Sequence, residues 1–304
     1  MDGIIVVNKH HGVTSHGVVN EIRKIFPGLK AGHSGTLDPM ATGVLPVCLG
    51  RATRIVEYII ELPKVYRAEI VLGKTTDTED RTGRVIEEKE VPCLERKDIE
   101  TVLKKFTGII EQSAPLYSAV KHRGKPFYYW TRRGESVPQR IRSSEIYNLK
   151  LLEFRSDQEP HIVFDVKCSK GTYVRTLAAD IGRAIGCGAH LFALTRFSVG
   201  PYMLKDALTT GEIAAKAMKG FYNEFILGMD TAVQHFPKLV LTDGQVKDLK
   251  NGRIIFPAQE DLPEQITDDT LIRVYDPQGS FKAIADRAKS EGNIGLKTVK
   301  YLAE

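Results

Sequence analysis

Gly32-His33-Ser34-Gly35-Thr36-Leu37-Asp38-Pro39, continued after Met40 by Ala41-Thr42-Gly43-Val44-Leu45-Pro46, is the stretch on which the reading of this chain turns. From Gly32 to Gly43 it keeps neither a helical nor a strand period and reads as a glycine-rich loop. Pro39 biases Asp38 toward extended backbone, and Gly35 and Gly43 permit sharp turns around it. A carboxylate presented by a loop on a rigid scaffold is a candidate for chemistry. Taken alone, Asp-Pro is equally an ordinary turn.

Working outward, Gly3 to Val7 reads as a strand and Ser15 to Phe26 as a helix, with Ser15 as its cap and Val18, Val19, Ile22 and Phe26 at helical spacing. Arg51 to Ile60 looks helical, with Ile55, Ile59 and Ile60 as buried positions. Lys64 to Leu72 alternates as a strand, placing Tyr66, Ala68, Ile70 and Leu72 on one face. Thr76 to Gly83 is a polar turn, and Glu95 to Phe106 an amphipathic helix. Ile146 to Phe154, His161 to Cys168 and Leu194 to Val199 read as strands, and Thr176 to Ile185 as a helix stopped by Gly186. After Phe236-Pro237 the style changes to short extended runs, at Leu271 to Tyr275, Phe281 to Ala285 and Gly295 to Lys300. The expectation is an α+β catalytic unit with a small β-rich unit appended.

Composition excludes several classes. No apolar run approaches the roughly 20 residues of a membrane span. Met1 to Asn8 lacks the basic start and cleavage site of a signal peptide, so a cytoplasmic location is expected. Cys48, Cys93, Cys168 and Cys187 form no Cys-x-x-Cys pair, and no metal site is expected. Gly73-Lys74-Thr75 lacks the earlier glycine of a phosphate-binding loop, Asp77, Glu79 and Asp80 fit a calcium loop poorly, and there is no Gly-x-Gly-x-x-Gly. No cofactor is expected, and no nucleotide cofactor in particular.

The net charge is +5, but residues 121–142 alone hold seven basic side chains and one acid, Glu135. Phe127, Tyr128, Tyr129 and Trp130 lie among those cations. Cations meet phosphates and aromatic faces stack on unpaired bases, so RNA contact is the expectation, against the plainer reading of a solvated loop. Ser169-Lys170-Gly171-Thr172-Tyr173-Val174-Arg175-Thr176, if extended, puts Tyr173 and Arg175 on one side, where they can hold a carboxylate and a planar base. An incidental arginine at a strand-to-helix junction fits this segment as well.

Together these segments resemble the TruB family of tRNA pseudouridine synthases. The likeness rests on the Asp38 block, Lys64-Val65-Tyr66-Arg67, Gly73-Lys74-Thr75-Thr76-Asp77-Thr78-Glu79-Asp80, Tyr117-Ser118-Ala119-Val120-Lys121, the Arg175 block and Leu194-Thr195-Arg196. It implies a mixed, mainly antiparallel sheet flanked by helices over 1–235, with an RNA-gripping insertion at 113–145 that holds Lys121, and a PUA-like RNA-binding domain over 236–304. By position it implies Asp38 as nucleophile, Tyr66 packing on the target base, and Arg175 pairing with the aspartate. Asp80 engages that arginine, Tyr173 and Leu194 line the pocket, and His33 holds flipped loop bases. Lys9 joins Lys121 among the substrate-binding candidates. His10 replaces the family's usual proline, Pro126 a basic residue, and Tyr129-Trp130-Thr131 a less aromatic stretch.

The reaction implied is isomerisation of the uridine at position 55 in the T loop of tRNA, by a monomer that uses no membrane. Rival readings are a related synthase with another RNA target, such as a guide-directed one, a non-catalytic RNA-binding or RNA-folding module, and a sugar hydrolase. The hydrolase needs a second carboxylate, for which only Asp80 is placed. Whether the first bond involves C1′ attack, C6 addition or a glycal is open at this stage.

Overall fold

A computed structural model describes residues 1–118, 120–263, 267, 269–288 and 294–303, so Ala119 of the matched text lies outside the described residues. A ten-stranded sheet organises most of the chain. Its main path runs Ile226–Leu227, Gly3–Lys9, Thr42–Leu49, Ala189–Val199, Lys64–Leu72, His161–Cys168, Ile141–Arg155, Gly108–Ser113. Every joint on that path is antiparallel except one. Thr42–Leu49 and Ala189–Val199 run parallel, paired only at Thr195 with Thr42 and Arg196 with Gly43. That short seam adjoins the Asp38 loop.

The sheet buries Tyr66, Ala68, Ile70 and Leu72 from one strand and Ile162, Phe164, Val166 and Cys168 from its neighbour against Leu177, Ala178 and Ile181 of the helix Val174–Ile185. The period-two alternation therefore points where the sequence indicates. Across the seam, Ile5, Val7, Leu45 and Val47 pack on Val18, Val19 and Ile22 of the helix Ser15–Ile25.

Several local expectations are corrected. Thr14, not Ser15, caps the first helix, its Oγ1 accepting from the Gly17 N–H at 2.9 Å. The glycine-rich stretch contains a strand, Ala31–His33, and gives way to Thr42–Leu49, all of whose residues after Thr42 are buried. Arg51 to Ile60 is a 3₁₀ turn, Gly50–Ile55, followed by a short helix, Val56–Glu61, and Ile60 is exposed. Tyr173 is extended, but helical backbone starts at Val174, so Arg175 occupies the first turn of Val174–Ile185. The strand reaching Val199 begins earlier than expected, at Ala189.

The basic segment also has structure. Lys121–His122 pairs with Lys125–Pro126, and Phe127–Thr131 forms a helical turn. Phe127 is buried with Ala114 and Val120, and the Trp130 indole donates to the His122 carbonyl at 2.9 Å. Two of the four aromatics thus hold the segment together, while Tyr128 and Tyr129 are exposed.

Beyond residue 236, Lys238–Val240, Ile272–Tyr275, Phe281–Ala288 and Gly295–Tyr301 form a second sheet in that order. It encloses Leu239, Val274, Ala285 and Leu296 with Val246 and Leu249 of the helix Asp243–Lys250. Ile284 and Leu302 face the other way and pack with Ala52, Ile55, Ile59 and Tyr202 of the larger unit. Among the described residues no helix is long and apolar enough to cross a membrane.

Candidate active site

Four pieces of chain converge beside the parallel seam: the Asp38 loop, the strand bearing Tyr66, the turn bearing Asp80 and the first turn of the Arg175 helix. Arg175 is buried, and one edge of its guanidinium grips both oxygens of Asp38. Nε lies 2.9 Å from Oδ2, and Nη2 donates to Oδ1 at 3.2 Å. The same guanidinium donates to the carbonyls of Tyr117 at 3.1 Å and Thr78 at 3.3 Å, and stands 3.8 Å from Asp80 Oδ2. A planar fork so occupied cannot rotate away from the carboxylate it holds.

Asp38 keeps about a third of its side chain open to solvent. Burial of its surroundings nevertheless pushes the carboxyl above the ordinary aspartate range, Arg175 pulls it back, Asp80 adds to the upward push, and Lys9 weakly opposes it. Asp80 is buried, and its Oδ1 accepts from the Thr82 N–H at 2.9 Å, the Thr82 hydroxyl at 2.6 Å and the Thr78 hydroxyl at 2.9 Å. A carboxylate engaged in this way is an orienting anion, its oxygens committed to the turn that carries it and to Arg175.

Tyr66 is buried in the core beside Leu37, Met40 and Leu194. Burial raises its phenol, and the positive charge of Arg196 is the largest opposing influence. Tyr173 is the residue before the Arg175 helix and packs on the small core made by Ala114, Val120 and Phe127. His33 is half-buried at the start of the loop, with its Nδ1 buried and unpartnered. Burial, then Arg196 and His16, push its pKa below the usual histidine range. Lys121 is exposed at the edge of the small hairpin.

Lys9 takes a different place from the other substrate-binding candidates. It is fully buried beneath the loop, and its Nζ donates to the carbonyls of Ala41 at 2.6 Å, His10 at 3.1 Å and Pro39 at 3.2 Å. Desolvation lowers it to about 8. Its amine is spent on fastening the backbone around Asp38 rather than on a surface.

Sequence reasoning missed three further fastenings. Ser15 bridges to the residue before Asp38, accepting from the Leu37 N–H at 2.8 Å and donating to the Leu37 carbonyl at 3.0 Å. Buried Gln112 meets both backbone groups of Tyr173, accepting from its N–H at 3.0 Å and donating to its carbonyl at 3.1 Å. Arg196, 1 % exposed, donates through Nε to the Val44 carbonyl at 2.7 Å and through Nη2 to the Gly35 carbonyl at 3.1 Å. For Arg196 a signal existed: strand alternation places it inward with Leu194 and Ser198, and an inward charge is rare without a purpose.

Comparison with known proteins bears on what such a site does. Residues 23–174 match the TruB family pseudouridylate synthase (N terminal domain), and residues 175–234 match the tRNA pseudouridylate synthase B C-terminal domain. A tRNA pseudouridine synthase B of Bacillus cytotoxicus is 41% identical over 307 residues, covering 99% of this chain and 97% of that protein. One from Marinomonas sp. is 41% identical over 278 residues, with 91% and 88% covered. Among solved structures, a Cbf5-Nop10-Gar1 complex superposes with TM-score 0.77 at 28% identity, covering 99% of this chain and 85% of the other. An H/ACA RNP bound to a substrate RNA containing 2'-deoxyuridine gives 0.75 at 26% identity, again with 99% and 85% covered.

Proposed function

The chain belongs to the TruB family of pseudouridylate synthases, with that family's catalytic fold, and from this premise we propose that it isomerises the uridine at position 55 in the T loop of tRNA to pseudouridine. The reaction exchanges an N-glycosidic for a C-glycosidic bond within one nucleotide. Uracil leaves C1′, turns in the pocket and rejoins through C5, which gives up its proton. Nothing is oxidised and no group is imported.

One observation carries the reading: a carboxylate on a fastened loop is gripped at both oxygens by a buried arginine yet remains a third open to solvent. Asp38 is the nucleophile. Arg175 keeps it ionised and aimed against a desolvated setting that favours the neutral acid. Tyr66 forms a wall of the base pocket and, its phenol kept protonated by burial, serves proton transfer at the sugar. Leu194 and Tyr173 complete a lining that excludes water, which would otherwise carry off the detached base.

The target uridine must leave its stack, at a cost of a few kcal/mol. Neutral His33, with a free ring nitrogen, receives displaced loop bases. Lys121, the exposed Tyr128 and Tyr129, and the cations around them grip the T stem-loop, and the sheet beyond residue 236 adds a second RNA contact. The protein acts as a monomer on tRNA in the cytoplasm.

The test is incubation of purified protein with a T-arm stem-loop, followed by mapping of pseudouridine. Asp38→Asn is expected to form none while binding the same RNA with unchanged affinity. Full activity in that variant would refute the assignment, and product at another uridine would redirect it.

A further inference from the structure

We infer that Arg196 is a positioning residue that locks the Asp38 loop and the Tyr66 ring into one unit, an inference that rests on the roles given to Asp38 and Tyr66 above. Arg196 is closed off from solvent. Among the described residues no carboxylate lies within ion-pair distance of it, although it is 1 % exposed. Burying a guanidinium without a counter-ion is costly, and an apolar side chain would close the sheet seam at lower cost. What the arginine supplies instead is reach in two directions from one rigid plane.

Gly35 lies three residues before Asp38 and Val44 six residues after it, and Arg196 donates to the carbonyls of both. The loop is thereby closed at its neck. The same guanidinium sits 6.0 Å from the centre of the Tyr66 ring. Tyr66 is directly opposite Arg196 in the neighbouring strand, so the two are also held by sheet register. Gly43, at φ +101°, completes the arrangement, because a Cβ there would stand 2.3 Å from the Arg196 carbonyl oxygen. The nucleophile's loop and the base-packing ring are thus referred to one buried cation.

The experiment uses full-length Arg196→Gln and Arg196→Lys, with folding checked by thermal melts. Single-turnover conversion of the T-arm stem-loop and its binding constant are measured for both. Tyr66 is followed by carbon-labelled tyrosine NMR, its resonance assigned by loss in Tyr66→Phe. Arg196→Gln is expected to lose on the order of 100-fold in single-turnover rate, as a displacement of about 1 Å would cause, with RNA affinity within about twofold of wild type. Arg196→Lys, which keeps the charge but not the fork, should fall between the two. In Arg196→Gln the Tyr66 phenol should titrate at higher pH than in wild type, because the cation that favours its ionised form is gone.

An unchanged rate, a loss of affinity parallel to the loss of rate, or an unmoved Tyr66 titration would each overturn the inference. If Arg196→Gln does not fold, Arg196→Lys decides, and a wild-type rate there is equally fatal. If the wild-type protein makes no pseudouridine, the proposed function fails by itself, and the Tyr66 titration still judges the role of Arg196.

Discussion

Asp38 sits where burial and Asp80 favour the neutral acid, while Arg175 and, more weakly, Lys9 favour the anion. The consequence is a pH dependence with a definite sign. A carboxyl raised above the ordinary aspartate value takes up its proton earlier as pH falls, so the rate of pseudouridine formation should decline at higher pH than an exposed aspartate would require. Asp80 contributes to that upward push, so Asp80→Asn should shift the acid limb to lower pH; single-turnover rates across about pH 4 to 8 measure it. Gly43 gives a second prediction. Alanine there meets the Arg196 backbone, which cannot swing aside as a side-chain tip can, and must also hold φ +101°. Gly43→Ala should lose about 2 kcal/mol or more in urea denaturation, with activity falling as well. At this scale the sequence was informative for Asp38, Tyr66 and Arg175, whose types and motifs stand out. It was silent on Lys9 as a loop fastener and on Ser15 as its companion. Their hydrogen bonds run to carbonyls and amides, which every residue possesses, so no side-chain pattern marks the partner.

Among the elements, the helix Val174–Ile185 decides whether Arg175 is in place, and its start has no side-chain cap of its own. Gln112, from the edge strand Gly108–Ser113, accepts from the otherwise unpaired Tyr173 N–H and adds a second donor to its carbonyl, which already accepts from the Leu177 N–H. Gln112→Ala strands the Tyr173 N–H, while the Tyr173 carbonyl keeps the Leu177 N–H at 3.0 Å. It should cost about 1–3 kcal/mol in thermal or urea unfolding and lower the turnover rate more than RNA affinity. Restoration by Gln112→Asn is not expected, since the shorter side chain cannot span both groups. The strands bearing Tyr66 and Val166 were legible because one of their faces is solvated and their alternation is clear. Thr42–Leu49 was not, because all its residues after the first are buried and no alternation remains to be seen. The turn into the Arg175 helix stayed open between an extended run and a strand-to-helix junction, since a two-residue spacing of Tyr173 and Arg175 says nothing about where helical backbone begins.

For the whole molecule, the order of strands brings residues 38, 66, 175 and 196 to one seam, and nothing local specifies that order. The parallel joint is two residue pairs long and is fixed by long-range closure of the sheet. The join to the second sheet was equally invisible, because Ile284 and Leu302 look like ordinary strand residues until Ile55 and Ile59 are seen beneath them. Removing residues 236–304 would expose that apolar surface at roughly 1.5–3 kcal/mol for each large side chain. The shortened chain should melt at lower temperature than the full protein. If the removed unit adds the proposed second RNA contact, binding to the T arm should also weaken less steeply with added salt. The buried amine of Lys9 carries one last consequence. Acylating reagents attack free, uncharged amines, and this one, holding three carbonyls and sealed beneath the Asp38 loop, escapes them while the loop is closed. Its modification is therefore a clock for loop opening: mass spectrometry of the peptide holding Lys9 would count how often the Asp38 platform comes loose, and bound RNA should slow the count.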